Sequence, residues 1–410
     1  MTFARELRFL YPRVLGKTIS FTRRLADAED AVQDAIERAL ESWPRTGPPE
    51  SPEAWLVSVA ANCHRDRVRR GRREARHADA LATLAEMSPW VQSAIAAPEI
   101  ARGWKDDLLR LLFACCHPSL DTGEGAALAL ATVLGLSSDE IAQAFGIAPR
   151  SMDQRLTRAR RRLRERGDYE APRAEDARDR LEAVFAVIHL LFNEGYWSSH
   201  DDAPIRGDLC RLAIGLGRSL REAFPAEPEV LGLLALMVLH ESRRPARLDA
   251  SGMPVPLSEQ DRSRWDREAI AEGTALVEGA LRAGAPGPHQ IEAAISAKHC
   301  SAATAAETDW DEIAELYAIL EGLRPSAAVR VNRAFAVARA AGASSGLALL
   351  EEKPSDDAYA DLVKGTLLAE LARNDEAIAS LERAVSRTRN AHEARQIGDR
   401  IERLRGQERT

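Results

Sequence analysis

The stretch LSSDEIAQAFGIAPRSMDQRLTRARRRL, residues 136–163, admits few folds. Ser137 followed three residues later by Glu140 is a capping box, in which each side chain meets the other residue's backbone N–H at a helix start. Ile141, Ala142 and Phe145 give that short helix an apolar face, and Gly146 supplies a tight turn. Pro149 suits the first turn of a second helix, where its missing N–H would have gone unpaired anyway. In that helix Met152, Leu156, Ala159 and Leu163 recur at spacings of four, three and four, which makes a buried stripe. Arg150, Gln154, Arg158 and Arg161 or Arg162 fall on other faces. A capped short helix, a glycine turn and a basic second helix make a helix-turn-helix.

Charge says what such a unit is for. Eight arginines lie within residues 150–167 of a chain whose formal net charge is −7. Residues 1–166 hold 26 Lys+Arg against 22 Asp+Glu, a balance of +4, while the rest hold 30 against 41, a balance of −11. Basic character confined to one part is the footprint of a polyanion-binding region. Arg and Gln suit bidentate contact with guanine and adenine edges in the major groove, and the later arginines suit phosphates. A second basic block, NCHRDRVRRGRREAR (62–76), sets seven arginines against two acids. The preceding DAEDAVQDAIERALESW (27–43) has six acids, one arginine and an apolar stripe of Val32, Ile36, Ala39 and Trp43. An acidic helix followed by a basic one is expected to face two different partners.

Helix formers dominate and β-branched runs are scarce, so the fold class expected is all-α. A length of 410 residues calls for several domains. The longest apolar run, LGLLALMVL (231–239), is too short to span a bilayer, and nothing resembles a signal peptide. Five scattered cysteines without a CxxC pair suggest reduced thiols, hence a cytoplasmic protein. Breaks are expected at 42–55, at a linker over 77–105, at 167–176, and at Gly/Pro segments near 246–258, 283–288, 322–326 and 352–357. Near the end Gly346 and Leu350 are answered 31 residues later by Ala377 and Leu381, as in tetratricopeptide-type hairpins whose small residues let helices approach.

DAEDAVQDAIERALESW, PEAWLVSVAANCHRDRVRR and LSSDEIAQAFGIAPRSMDQRLTRARRRL, in that order, resemble region 2 and region 4 of bacterial extracytoplasmic-function sigma factors of the sigma-70 family. DDLLRLLFACCHPSL, LEAVFAVIHLLFNEGYWSS, EQDRSRWDREAIAEG and TDWDEIAELYAIL look like the subgroup with a long C-terminal extension ending in tetratricopeptide-like repeats. The resemblance implies region 2 over 1–76, a linker over 77–105, region 4 over 106–166, a helical extension over 177–300 and repeats over 301–410. It implies a promoter-specificity subunit that binds core RNA polymerase, through the β′ clamp and β subunits, and promoter DNA, with no cofactor and no membrane contact. A YCII-related small protein is a further partner it suggests. Asp30, Gln33 and Asp34 match the polymerase-docking positions. Asn62 with Arg65, Arg67, Arg69 and Arg70 matches the positions that open and hold the −10 element, and Trp55 matches a packing position. Arg150, Ser151, Asp153, Gln154, Arg155, Arg158, Arg161 and Arg162 fall in the helix that reads the −35 element. Asp153 departs from the basic or small residue common there; it either repels a phosphate or accepts from a cytosine amino group.

Other constellations carry less. CCHP (115–118) with Cys63 and His64 fits no metal-ligand spacing, so no metal is expected. His189, Glu194, Tyr196 and His200 gather without a nucleophile–base pair, so no catalysis is expected. The acidic extension is expected to regulate exposure of the basic faces or docking to polymerase. The rival reading is a ligand-sensing helix-turn-helix regulator that acts without polymerase, for which the acidic 27–43 helix has no use.

Overall fold

The computed structural model describes residues 3–22, 25–78, 107–133, 136–165, 177–196, 205–250, 252–355, 357–388 and 391–407. Among these residues eighteen α-helices form and no strand does, as an all-α chain requires. The chain divides into two compact units, Met1–Pro225 and Ala226–Thr410.

The first unit opens with a three-helix bundle, α1 (Phe3–Thr22), α2 (Leu25–Thr46) and α3 (Pro52–Ala78). Val14, Leu15 and Ile19 of α1 meet Ala31, Val32, Ala35, Ala39 and Trp43 of α2, with Leu56, Ala60 and Cys63 of α3 closing the core. Trp43 packs on Trp55, ring centroids 5.5 Å apart, which gives Trp55 the packing role expected of it. The expected break at 42–55 is narrower in the structure. Helix α2 runs to Thr46, where Gly47 at φ +74° donates its N–H to the Trp43 carbonyl, a left-handed stop that Gly alone adopts cheaply. Most of the expected linker, from residue 79 on, lies outside the described residues.

Four helices follow: α4 (Asp107–Cys115), α5 (Thr122–Thr132), α6 (Ser138–Ala144) and α7 (Pro149–Glu165). Helix α5 is capped by Asp121, whose side chain accepts from the Glu124 N–H while Glu124 reaches back. From Gly125 to Leu130 it is buried on every side, so it needs more cover than α4, α6 and α7 supply. Helix α8 (Leu181–Tyr196) supplies it, packing on α5 through an apolar face that includes Val184, Val187 and Ile188. Helix α9 (Gly207–Ala223) packs on α8, and the two approach closely at Gly195, where a Cβ would sit 2.7 Å from the Cys210 nitrogen. Phe224 lies 5.7 Å from Phe113, and Arg180 donates to the Phe113 carbonyl at 2.8 Å. The sequence break at 167–176 lies outside the described residues, and beyond it α8 packs on α5 while α9 packs on α8 and α4.

The second unit is a run of paired helices: α10 (Pro228–Ser242), α11 (Arg267–Leu281), α12 (Pro288–Ser301), α13 (Trp310–Leu323), α14 (Ala327–Ala341), α15 (Ala343–Glu352), α16 (Ala358–Glu370), α17 (Asn374–Arg387) and α18 (Ala391–Gln407). The Gly/Pro segments read from the sequence fall between these helices. The apolar run 231–239 is the buried heart of α10. Gly346 and Leu350 of α15, like Ala377 and Leu381 of α17, are buried against the preceding helix of each hairpin. A Cβ on Gly346 would lie 2.4 Å from the Ala334 carbonyl oxygen, so the small residue sets how near α14 and α15 come.

Candidate nucleic-acid interface

The helix-turn-helix forms as its sequence dictates. Ser137 accepts from the Glu140 N–H at 3.2 Å, and Glu140 accepts from the Ser137 N–H at 2.6 Å. Gly146 takes φ +66° between α6 and α7. Met152, Leu156, Ala159 and Leu163 are all buried, which fixes the roll of α7 and so decides which residues face outward. Arg150, Ser151, Asp153, Gln154, Arg158 and Arg161 are exposed along it.

Two expected contacts on α7 have work inside the protein. Arg162 pairs with the buried Glu124 carboxylate at 2.5 Å, tying α7 to the cap of α5. Arg155 is half-buried, its guanidinium 5.7 Å from the centre of the Phe145 ring. The second capping glutamate, Glu140, takes an ion pair from Arg206 just before α9, at 3.2 Å. Sequence reading missed Glu124 and Arg206. Asp121 with Glu124 ahead of an apolar run was a readable capping signal; nothing local marked Arg206.

On the bundle, Asp30 and Gln33 are exposed on α2, with Asp34 half-buried one turn beyond Asp30. Asn62 and Arg65 are exposed on α3, where Arg65 donates to the Asn62 side-chain oxygen. Arg69 and Arg70 lie on α3; their side chains fall outside the described ones. Arg67 turns back onto α2. Its guanidinium donates to both carboxylate oxygens of Asp34, at 2.9 and 2.8 Å, and pairs with Asp30 at 2.7 Å. The acidic and basic helices, expected to face two different partners, are joined to each other at this residue.

The cysteines are packing groups. Burial pushes the Cys116 thiol up to about 12 and the Cys115 thiol well above its ordinary range. His117 bonds the Ser119 hydroxyl at 2.8 Å and accepts the Ser119 N–H in the turn after α4. Glu194 is buried on α8, Tyr196 stacks on Phe192, and His200 lies outside the described residues.

A capped helix-turn-helix with a polar, basic outward face, joined to a helical bundle with an acidic face, defines the class as a helix-turn-helix DNA-binding protein. Residues 8–74 match the family model for Sigma-70 region 2 and residues 110–163 that for Sigma-70, region 4. Residues 180–281 match a family of unknown function (DUF6596). An uncharacterized protein of Rhizobium meliloti (strain 1021) is 42% identical over 96% of this chain and 93% of its own length. The RNA polymerase sigma factor CarQ of Myxococcus xanthus is 32% identical over 38% of this chain and 82% of its own. CnrH, an RNA polymerase sigma factor of Cupriavidus metallidurans, is 30% identical over 33% of this chain and 71% of its own. No solved structure matches the chain. The chain belongs to the sigma-70 family, as a sigma factor of the extracytoplasmic-function type with a C-terminal helical extension. It is a promoter-specificity subunit that directs RNA polymerase to its start sites. No described helix is long and apolar enough to cross a membrane.

Proposed function

We propose that the α1–α3 bundle docks core polymerase through Asp30, Gln33 and Asp34 and holds the −10 element along Asn62, Arg65, Arg69 and Arg70, while α7 reads the −35 element. The observation that carries this division is the roll of α7. Its apolar stripe is spent on the core, and Arg150, Ser151, Asp153, Gln154, Arg158 and Arg161 stand on one rigid, outward face. Arg150 and Gln154 are one turn apart, as two base-edge readers in a major groove must be. Arg158 and Arg161 follow as phosphate contacts. Core contact is assigned to the β′ clamp and β subunits. A YCII-related small protein is a further partner, and the protein acts in the cytoplasm, on the nucleoid when in holoenzyme, without catalysis of its own.

The extension serves two ends in this reading. Helix α8 covers α5, the helix on which α7 packs, α9 packs on α8, and residues 226–410 are the regulatory part. Selection of promoter sequences by holoenzyme tests the first assignment. Gln154→Ala is expected to relax preference at one position of the −35 element and leave the −10 preference intact; unchanged preference at every position refutes it. Run-off transcription with residues 1–225 against the full chain tests the second, and identical output refutes a regulatory role.

A further inference from the structure

Arg67 sits where the proposed polymerase face and the proposed −10 face meet, and its bonds belong to the first of them. One guanidinium serves two carboxylates, taking both oxygens of Asp34 and one of Asp30, and it also donates to the Asp30 backbone carbonyl at 3.3 Å. Asp30 and Asp34 are one helical turn apart on α2, and the fork of the guanidinium from α3 spans them, one terminal nitrogen on each acid. The cluster is not sealed. The Asp30 side chain is 66% exposed, and those of Arg67 and Asp34 are 37% and 33% exposed. Ion pairs this wet hold weakly and exchange partners readily.

Resting on the docking assignment above, we propose that Arg67 is a positioning residue that changes partners. In the free chain it neutralises Asp30 and Asp34; when cationic side chains of polymerase take those carboxylates, Arg67 is released to a promoter phosphate beside Asn62 and Arg65. The charge arithmetic drives the exchange. Two carboxylates and one guanidinium leave a single negative charge for a basic partner, and every cation that docks there raises the repulsion on Arg67. The released side chain stays on α3, whose neighbouring Arg65 is already exposed, so the basic track gains one charge only after docking. Docking and DNA capture thereby favour each other, and linkage makes the effect reciprocal: a phosphate that draws Arg67 away bares the carboxylates for polymerase. A subunit built this way holds back part of its DNA affinity until it is in holoenzyme.

The test measures core-polymerase binding and holoenzyme–promoter binding for the wild type, Arg67→Ala, Arg67→Lys and Asp34→Asn. Exchange predicts that Arg67→Ala binds core about two- to fivefold tighter, the scale of an exposed ion pair. It also predicts that the promoter affinity of that holoenzyme falls less steeply with salt, its log–log slope smaller by about 0.7–0.9 for one lost phosphate contact. Arg67→Lys keeps the charge and is expected to restore the salt slope. Weaker core binding by Arg67→Ala with an unchanged salt slope overturns the proposal and makes Arg67 a brace for the acids. The docking assignment is judged separately. It fails if Asp34→Asn binds core as the wild type does, whatever Arg67 does to the salt slope.

Discussion

Arg162 carries positive charge on the helix assigned to DNA, yet the structure gives it a load to bear within the protein. Its partner Glu124 is 4% exposed at the side chain and is the third residue of α5, where it also reaches the Asp121 N–H at 3.4 Å. Arg162→Ala leaves that carboxylate buried with the weaker of its two bonds. Stranding a buried charged acceptor costs about 1–3 kcal/mol; the upper figures for fully buried pairs do not apply, because the Arg162 side chain is 46% exposed and water can follow it out. A loss of about 2 kcal/mol corresponds to about 4–8 °C in the melting of a unit of this size. Arg158→Ala, whose side chain bonds the Gln154 carbonyl one turn back, is expected to cost under about 0.5 kcal/mol. Thermal and urea melts of the two variants, with promoter binding measured at a temperature where both are folded, separate the roles. Arg158→Ala is expected to lose promoter affinity at little cost in stability, and Arg162→Ala the reverse. Adding Glu124→Gln to Arg162→Ala is expected to recover part of the stability. If Arg162→Ala melts with the wild type, the reasoning that ties Glu124 to α7 is wrong.

Other consequences can be measured in the same preparations. Burial, then the positive charges of Arg243 and Arg262, push the His299 ring down to about 4 from an ordinary 6.5. The folded state therefore favours the neutral ring. Its contribution to the stability of the second unit is full above about pH 6.5 and is lost as pH falls toward about 4, an effect of ~3 kcal/mol. His299→Phe, which keeps a ring against Trp310, is expected to flatten that part of the stability–pH curve; an unchanged slope contradicts the assignment. Gly195→Ala places a methyl 2.7 Å from the Cys210 nitrogen and is expected to cost about 1–3 kcal/mol and to impair promoter binding, although it touches no DNA-facing residue. Cys115 and Cys116 are expected to resist alkylation at pH 7–8 in the native state and to react on unfolding; rapid native labelling would place them outside the core.

The helix-turn-helix was legible because its information is local. A capping box, a glycine turn and a four-three-four stripe determine α6 and α7 and the outward residues without reference to the rest of the chain. The helical hairpins of the second unit were legible for a similar reason, since Gly and Pro mark the ends of short paired helices. What escaped the sequence depended on distant pairs. Arg67 reads as one more arginine in a basic run, and only the packing of α3 on α2 turns it onto Asp30 and Asp34. Arg206 meets Glu140 across 66 residues. The break near 170 suggested that the promoter-reading half ends there, yet the all-round apolarity of GEGAALALATV was a sign that α5 needed another helix to cover it. Cutting the chain at residue 167 would strip α8 from that helix, so the informative truncation lies after Pro225.

The most direct test is run-off transcription from a promoter library with core polymerase, with and without this protein. The account predicts transcripts from a defined subset of promoters only when the protein is present, abolished by Arg150→Ala combined with Gln154→Ala and retained by Arg162→Lys. If the protein binds duplex promoter DNA tightly by itself and adds no transcript to core polymerase on any promoter, the account is contradicted.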